Sequence, residues 1–182
     1  MSTTLNTALS GSYTGDRNHS SFGFAVPHMT VSTFRGTFAD VTAGVTVSDD
    51  GALTVVGVAE VESISVKSPI DLRKHLLSDE FFDAAQYPRM RFRSAPAKPA
   101  EDGLITFDGE LTIKNITRPV VVTGTLVGPV EDPYGDTRAA LELETKIDRR
   151  DYGMNWNMPL PKGGVALGTE VTITVHLELI AD

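Results

Sequence analysis

The run TEVTITVHLELI at 169–180 alternates without a break. Val171, Ile173, Val175, Leu177 and Leu179 fall on one side, and Thr172, Thr174, His176 and Glu178 on the other. A strand sends successive side chains to opposite faces, so this is a strand with one buried and one wetted face. A helix would scatter the same residues around its axis. The stretch SSFGFAVPHMT repeats the pattern, with Phe22, Phe24, Val26 and His28 on one face. Pro27 lacks an amide donor and marks an edge or a bulge there.

Similar alternation predicts strands at about 33–47, 53–66, 90–94, 104–113, 118–127 and 138–148. Turn chemistry separates several of them: SDDG at 48–51, EDG at 101–103 and DPYGD at 132–136. Lys114-Asn115 fits a tight hairpin, because Asn tolerates positive φ. Short connections without alternating helices argue against a βαβ fold. The expectation is about eight antiparallel strands closed into a barrel, an architecture whose interior can hold one small ligand.

One segment breaks the pattern. In SPIDLRKHLLSDEFFDAAQYP at 68–88, Ser68 is placed to cap a helix with Pro69 in its first turn. Ser78, followed by Asp79 and Glu80, offers a second helix start, and Pro88 ends the insertion. Residues 1–11 read as a polar, flexible tail, leaving one domain over 12–182.

Bulk properties narrow the function. The chain has 182 residues and no cysteine, which excludes disulfides, thiolate metal sites and cysteine nucleophiles. Its net charge of −8, without a basic cluster, opposes binding to nucleic acid and adhesion to anionic membrane surfaces. No apolar run reaches spanning length and the N-terminus has no basic, apolar leader, so a cytoplasmic protein without integral membrane association is expected.

His19 and His28 lie nine residues apart, which in one extended strand is about 30 Å and opposite faces. They cannot share a metal without a sharp bend, no zinc-type spacing occurs, and no metal site is expected. His28 shares the apolar face; it is either a satisfied core histidine or the polar anchor of a ligand in an apolar chamber. His19 is assigned hydrogen bonds at the barrel rim. There is no G-x-S-x-G elbow and no P-loop, and Glu142 and Glu144 suit a solvated strand face, so no catalytic residue is assigned. Phe81, Phe82, Tyr87 and Phe92 form the most aromatic stretch. The Met- and Gly-containing YGMNWNMPLPKGG at 152–164, with the only tryptophan, is a loop or a lid.

Five ordered blocks resemble the YceI-like family of lipocalin-like barrels. They are Tyr13 with Asp16, His19 and Ser20; Phe24, Val26 and His28 with RGTF at 35–38; HLLSDEFFDAAQYPRMRFRS at 75–94; GELTIKNITRPV at 109–120; and IDRRDYGMNW at 147–156. Tyr13 stands where the family usually has tryptophan. The resemblance implies a barrel enclosing a channel for a polyisoprenoid lipid, such as a quinone or a prenyl diphosphate, and homodimers. It places Phe22, Phe24, Val26 and His28 along the channel, and His75, Phe81, Phe82 and Trp156 near its ends. Phe38, Leu76 and Phe92 from the matching blocks belong with them, and His28, Arg35 or Lys114 are the candidates for a head group. The expected function is a soluble carrier, store or sensor of such a lipid. The alternatives are an enzyme acting on the lipid, with histidines as acid–base groups, and a structural barrel filled by its own side chains.

Overall fold

A computed structural model describes residues 9–182. Its strands are β1 (Gly11–Gly15), β2 (Ser21–His28), β3 (Ser32–Thr37), β4 (Val41–Val47), β5 (Leu53–Glu60), β6 (Arg89–Ser94), β7 (Leu104–Ile113), β8 (Ile116–Glu131), β9 (Thr137–Asp148) and β10 (Glu170–Ala181). All pairings are antiparallel. Eight strands close on themselves in the order β1-β4-β5-β6-β7-β8-β9-β10, with β10 returning to β1. The expected barrel is therefore the fold. The hairpin β2–β3 is an addition to the ring.

That hairpin decides the shape of the interior. β1 pairs with the end of β10, Tyr13 opposite Ala181, while β2 takes the same edge further along, Ala25 opposite Thr172. Among the described residues β3 then pairs with β2 alone, and just beyond its end a single bridge joins Phe38 to Ile64. At one end, here the lower, β1 fills the place between β4 and β10. At the upper end the gap is spanned by the insertion between β5 and β6. The lower end carries the turns at 48–52, 95–103 and 132–136, and the upper end those at 29–31 and 114–115 and the loop before β10.

The lower half is a solid core. Val45, Leu53, Ile105, Phe107, Leu141 and Leu179 are sealed from solvent, and Tyr13 joins them from β1. Each comes from the inward phase of its strand, as the alternation dictates.

Several sequence expectations need correction. The stretch 33–47 is two strands, because the chain bends at Ala39 and Asp40 to pass from β3 to β4. β5 stops at Glu60, where a 3-10 turn at Val61–Ser63 buries Val61. The flexible tail falls mostly outside the described residues, but Gly11 already belongs to β1. The insertion holds one α-helix, α1 (Ile70–Leu77), capped at Pro69 with no hydrogen bond from the Ser68 side chain. No second helix follows. The amide of Phe82 donates to Leu76 O, and Asp83 takes a positive φ of 47°, turning both phenylalanines inward. Burial of aromatic surface outweighs the weak helical preference of SDEFF. Lys114 and Asn115 adopt φ values of 50° and 60°, the tight hairpin expected.

Candidate functional site

Above the solid core the barrel is hollow. A chamber of about 420 Å³ lies between β2, the upper halves of β4–β10, α1 and the loop preceding β10. Its floor is Val55, Val122, Leu143 and Leu177, the top layer of the lower core. Its walls combine aliphatic side chains with two groups of rings. Phe24 packs against Phe34 and Phe38 at centroid distances of 5.9 and 5.8 Å, and Phe38 meets Phe82 edge-on at 5.8 Å. His75, Phe81 and Trp156 form a second group, with His75 edge-on to Phe81 at 5.0 Å and to Trp156 at 4.9 Å. Such offset and edge contacts suit aromatic quadrupoles and fix the walls.

Two glycines let the rings lie against the sheet. A Cβ at Gly36 would come within 2.5 Å of the Phe24 ring, and one at Gly109 within 2.6 Å of Phe92. Without those gaps both rings would stand out into the chamber. The space depends on missing side chains as much as on the ring of strands.

Of the residues expected at a site, Phe22, Phe24, Val26, His28, Phe38, His75, Leu76, Phe81, Phe82, Phe92 and Trp156 all line the chamber. Arg35 does not. It follows Phe34 on β3, so the period of two turns it outward, where it is exposed and donates to Thr33 O. Lys114 also lies elsewhere, donating to Asp79 O at 2.8 Å and tying the 114–115 turn to the insertion. His28 is half-buried on the chamber wall, and neither ring nitrogen bonds a described residue. His75 is committed to Glu80, with Nε2 2.7 Å from Oε2.

His19 belongs to the frame, on the outer wall at the corner between β1 and β2. Its Nδ1 lies 2.8 Å from Asp16 Oδ2. Arg138 reaches the same carboxylate at 3.1 Å, Glu178 at 2.6 Å and Asp132 at 2.7 Å. Asp16, His19 and Glu178 are close enough to suggest a metal site, yet Arg138 already supplies the cation between the carboxylates. Hydrogen bonds from His19, the Asn18 amide and Arg138 hold the Asp16 carboxyl down at about 2. Asp16 in turn raises His19.

Among the chamber residues that the sequence analysis does not single out, one is a buried charge. Arg149 is 3% exposed and lines the chamber. Its Nε donates to Gly168 O at 2.8 Å, Nη1 to Met154 O and Nη2 to Leu167 O at 3.4 Å, so one guanidinium sews together both ends of the loop before β10. No carboxylate pairs with it among the described residues, and burial lowers its pKa. The signal was there: Leu141, Leu143 and Ile147 point inward, and the same phase continued puts Arg149 inside. Its neighbour Arg150 turns out and grips Asp148. Asn157 completes the loop, donating to Leu167 O at 2.7 Å and accepting from the amides of Met158 and Leu167. Beside it Tyr152 buries its hydroxyl without a partner among the described residues, and burial pushes that phenol up to about 12.

An eight-stranded antiparallel barrel with an apolar chamber and one short helix at its side is a lipocalin-like architecture. The sequence profile of the YceI-like domain matches residues 13–179, and the chain belongs to that family. A UPF0312 protein of Pseudomonas fluorescens is 33% identical over 145 residues, covering 74% of this chain and 71% of its own. The protein YceI of Salmonella newport is 30% identical over 176 residues, 95% and 90% of the two chains. Among solved structures, BcnA of Burkholderia cenocepacia superposes with a TM-score of 0.75 at 22% identity, over 90% of this chain and 98% of that one. A polyisoprenoid-binding domain from Saccharophagus degradans, implicated in plant cell wall breakdown, gives 0.65 at 17% identity over 93% and 98%. These two likenesses establish the fold. Among the described residues no helix is long and apolar enough to cross a membrane.

Proposed function

We propose that this protein binds a lipid with an isoprenoid or similarly long apolar tail in the upper chamber, as a carrier, store or sensor. The observation that carries this reading is the chamber itself: about 420 Å³ walled by phenylalanine rings and aliphatic side chains, with His28, His75 and Arg149 as its buried or half-buried ionisable groups. Ligand pockets of small molecules occupy about 300–1,000 Å³ and combine an apolar lining with few polar groups. The family and the polyisoprenoid-binding neighbour support the same class of ligand.

Chain burial alone suffices for affinity. Each buried CH₂ contributes about 0.8 kcal/mol, so one isoprene unit supplies roughly 3–4 kcal/mol before ordering costs. Selection of a quinone, a prenyl diphosphate or another head group then falls to the few polar groups. His28, with both ring nitrogens free of described partners, is the first of them. Arg149 keeps N–H groups beyond the three already used.

Native mass spectrometry of protein purified from cells is the test. A bound species that organic extraction removes, and that returns on mixing with the extract, is the expected result. Protein that is empty from cells and takes up no lipid overturns the reading. His28→Ala is expected to change which head group is retained, while tail-driven binding persists.

A further inference from the structure

A cargo so apolar needs a route to the chamber. A tail of several isoprene units has almost no free concentration in water, because every exposed CH₂ is unfavourable. The upper end of the barrel carries features that bear on this.

Two hairpin tips meet there. The Met29 amide donates to Ala166 O at 2.8 Å, and the Ala166 amide donates to Met158 O at 2.8 Å. Further bridges join His28 to Leu167 and Pro159 to Val165. The joined tips display Val31, 84% exposed, together with the exposed Met29, Met158 and Val165. Single exposed apolar residues are ordinary, but four on two hydrogen-bonded tips form a patch. The patch is continuous with the chamber, since His28, Ala166 and Leu167 line it from beneath.

Charge is distributed to match. Segments 29–34 and 157–167 contain Lys162 and no acidic residue. The lower turns contain Asp49, Asp50, Glu101, Asp102, Asp132 and Asp136 against Lys98. The insertion on the flank carries both signs. A molecule of net charge −8 thus keeps carboxylates off the two joined tips, with Asp148, Asp151 and Glu170 set back on the strands and turn behind them. An anionic bilayer would repel the lower turns more than the two joined tips, which present no carboxylate to it.

We propose that this upper face docks on the surface of a lipid bilayer, with Met29, Val31, Met158 and Val165 inserted at the interface, so that cargo passes between membrane and chamber without crossing bulk water. The proposal rests on the lipid-binding reading. Inserted apolar side chains give shallow, reversible adhesion of the kind interfacial segments use.

The absence of cysteine allows single-site labelling. Lys162→Cys and, at the acidic end, Tyr134→Cys would each carry a polarity-sensitive NBD fluorophore. With vesicles of phosphatidylcholine and phosphatidylglycerol, emission at position 162 is expected to rise and shift to the blue, with no change at 134. Uptake of a dansylated geranylgeranyl lipid from such vesicles is expected to speed up in proportion to vesicle concentration. Val31→Asp and Met158→Asp should slow it roughly tenfold, while affinity for the same lipid presented in detergent stays unchanged. A label at 162 that stays silent, or responds no more than one at 134, overturns docking. So does a transfer rate independent of vesicle concentration. Failure of the unmutated protein to bind the lipid from detergent overturns the lipid-binding reading instead, and the label experiment, which needs no cargo, separates the two failures.

Discussion

Phe107 and Phe24 are both inward-facing phenylalanines on strands of one barrel, yet their surroundings differ. Phe107 is 0% exposed, enclosed by Ile105, Leu141 and their neighbours in the lower core. Phe24 borders open space and leans on other rings at the chamber wall. Alternation is equally regular in both halves, so patterning alone does not make one solid and the other hollow. The difference is perimeter. Below, β1 closes the ring tightly between β4 and β10. Above, the β2–β3 hairpin takes its place on β10, β3 does not pair with β4, and α1 with its following turns fills the gap. A wider ring leaves side chains too short to meet at the axis.

The largest expected effect tests this directly. Phe107→Ala should cost about 3–5 kcal/mol in chemical denaturation, because the lower core cannot refill the space. Phe24→Ala removes a ring that already faces a void on one side, and should cost less than about 2 kcal/mol. It should also enlarge the chamber and admit bulkier lipids. Equal costs at the two sites would mean that both halves are packed alike.

The division of the barrel was only half legible in the sequence. The faces of β2 and β10, the 114–115 turn and the helical interruption all follow from period, turn chemistry and Pro88. β1 did not stand out, because GSYTG offers a single inward apolar residue, Tyr13, between small and polar ones. Its role in narrowing the lower ring is a matter of which edge it pairs with, and no local pattern encodes that. Local propensity predicts two helices in the insertion where one forms, because propensity ignores the chamber that Phe81 and Phe82 help to wall. Charge misled in both directions. Arg35 is a polar candidate for a head group, yet its phase points outward, whereas Arg149, which the sequence analysis does not single out, has a phase that points inward.

A smaller effect sharpens the claim that glycines keep the upper half open. In Gly36→Ala the new methyl would fall 2.5 Å from the Phe24 ring. The atoms it meets are the far end of a side chain, so the ring can swing into the chamber instead of the strands parting. Stability should change little, whereas binding should lose roughly 1–3 kcal/mol, about 5- to 150-fold in affinity. Lipid titration beside a denaturation curve separates the two. A large loss of stability with intact binding would show that Gly36 serves strand packing instead.

The smallest effect concerns the joint between the halves. Asp16, His19, Arg138 and Glu178 meet at the corner where β1 gives way to β2. Asp16 is lowered from 3.8 to about 2 in the folded protein, so its contribution is complete above pH 4 and disappears as pH falls through 2. His19 is raised above 6.5, so its contribution is complete below 6.5 and is lost as pH rises through the higher folded value. The corner is therefore tightest between the two ordinary values, at mildly acid pH. The groups lie at the surface, and salt should weaken the effect. Arg138→Gln is expected to move acid unfolding to higher pH, and His19→Asn to flatten the fall in thermal midpoint on the alkaline side. Lipid retention followed over the same pH range decides what the corner does. Retention that stays level while the midpoint moves makes it a clamp on the frame. Retention that falls with the midpoint would show that the width of the upper ring is set from this joint.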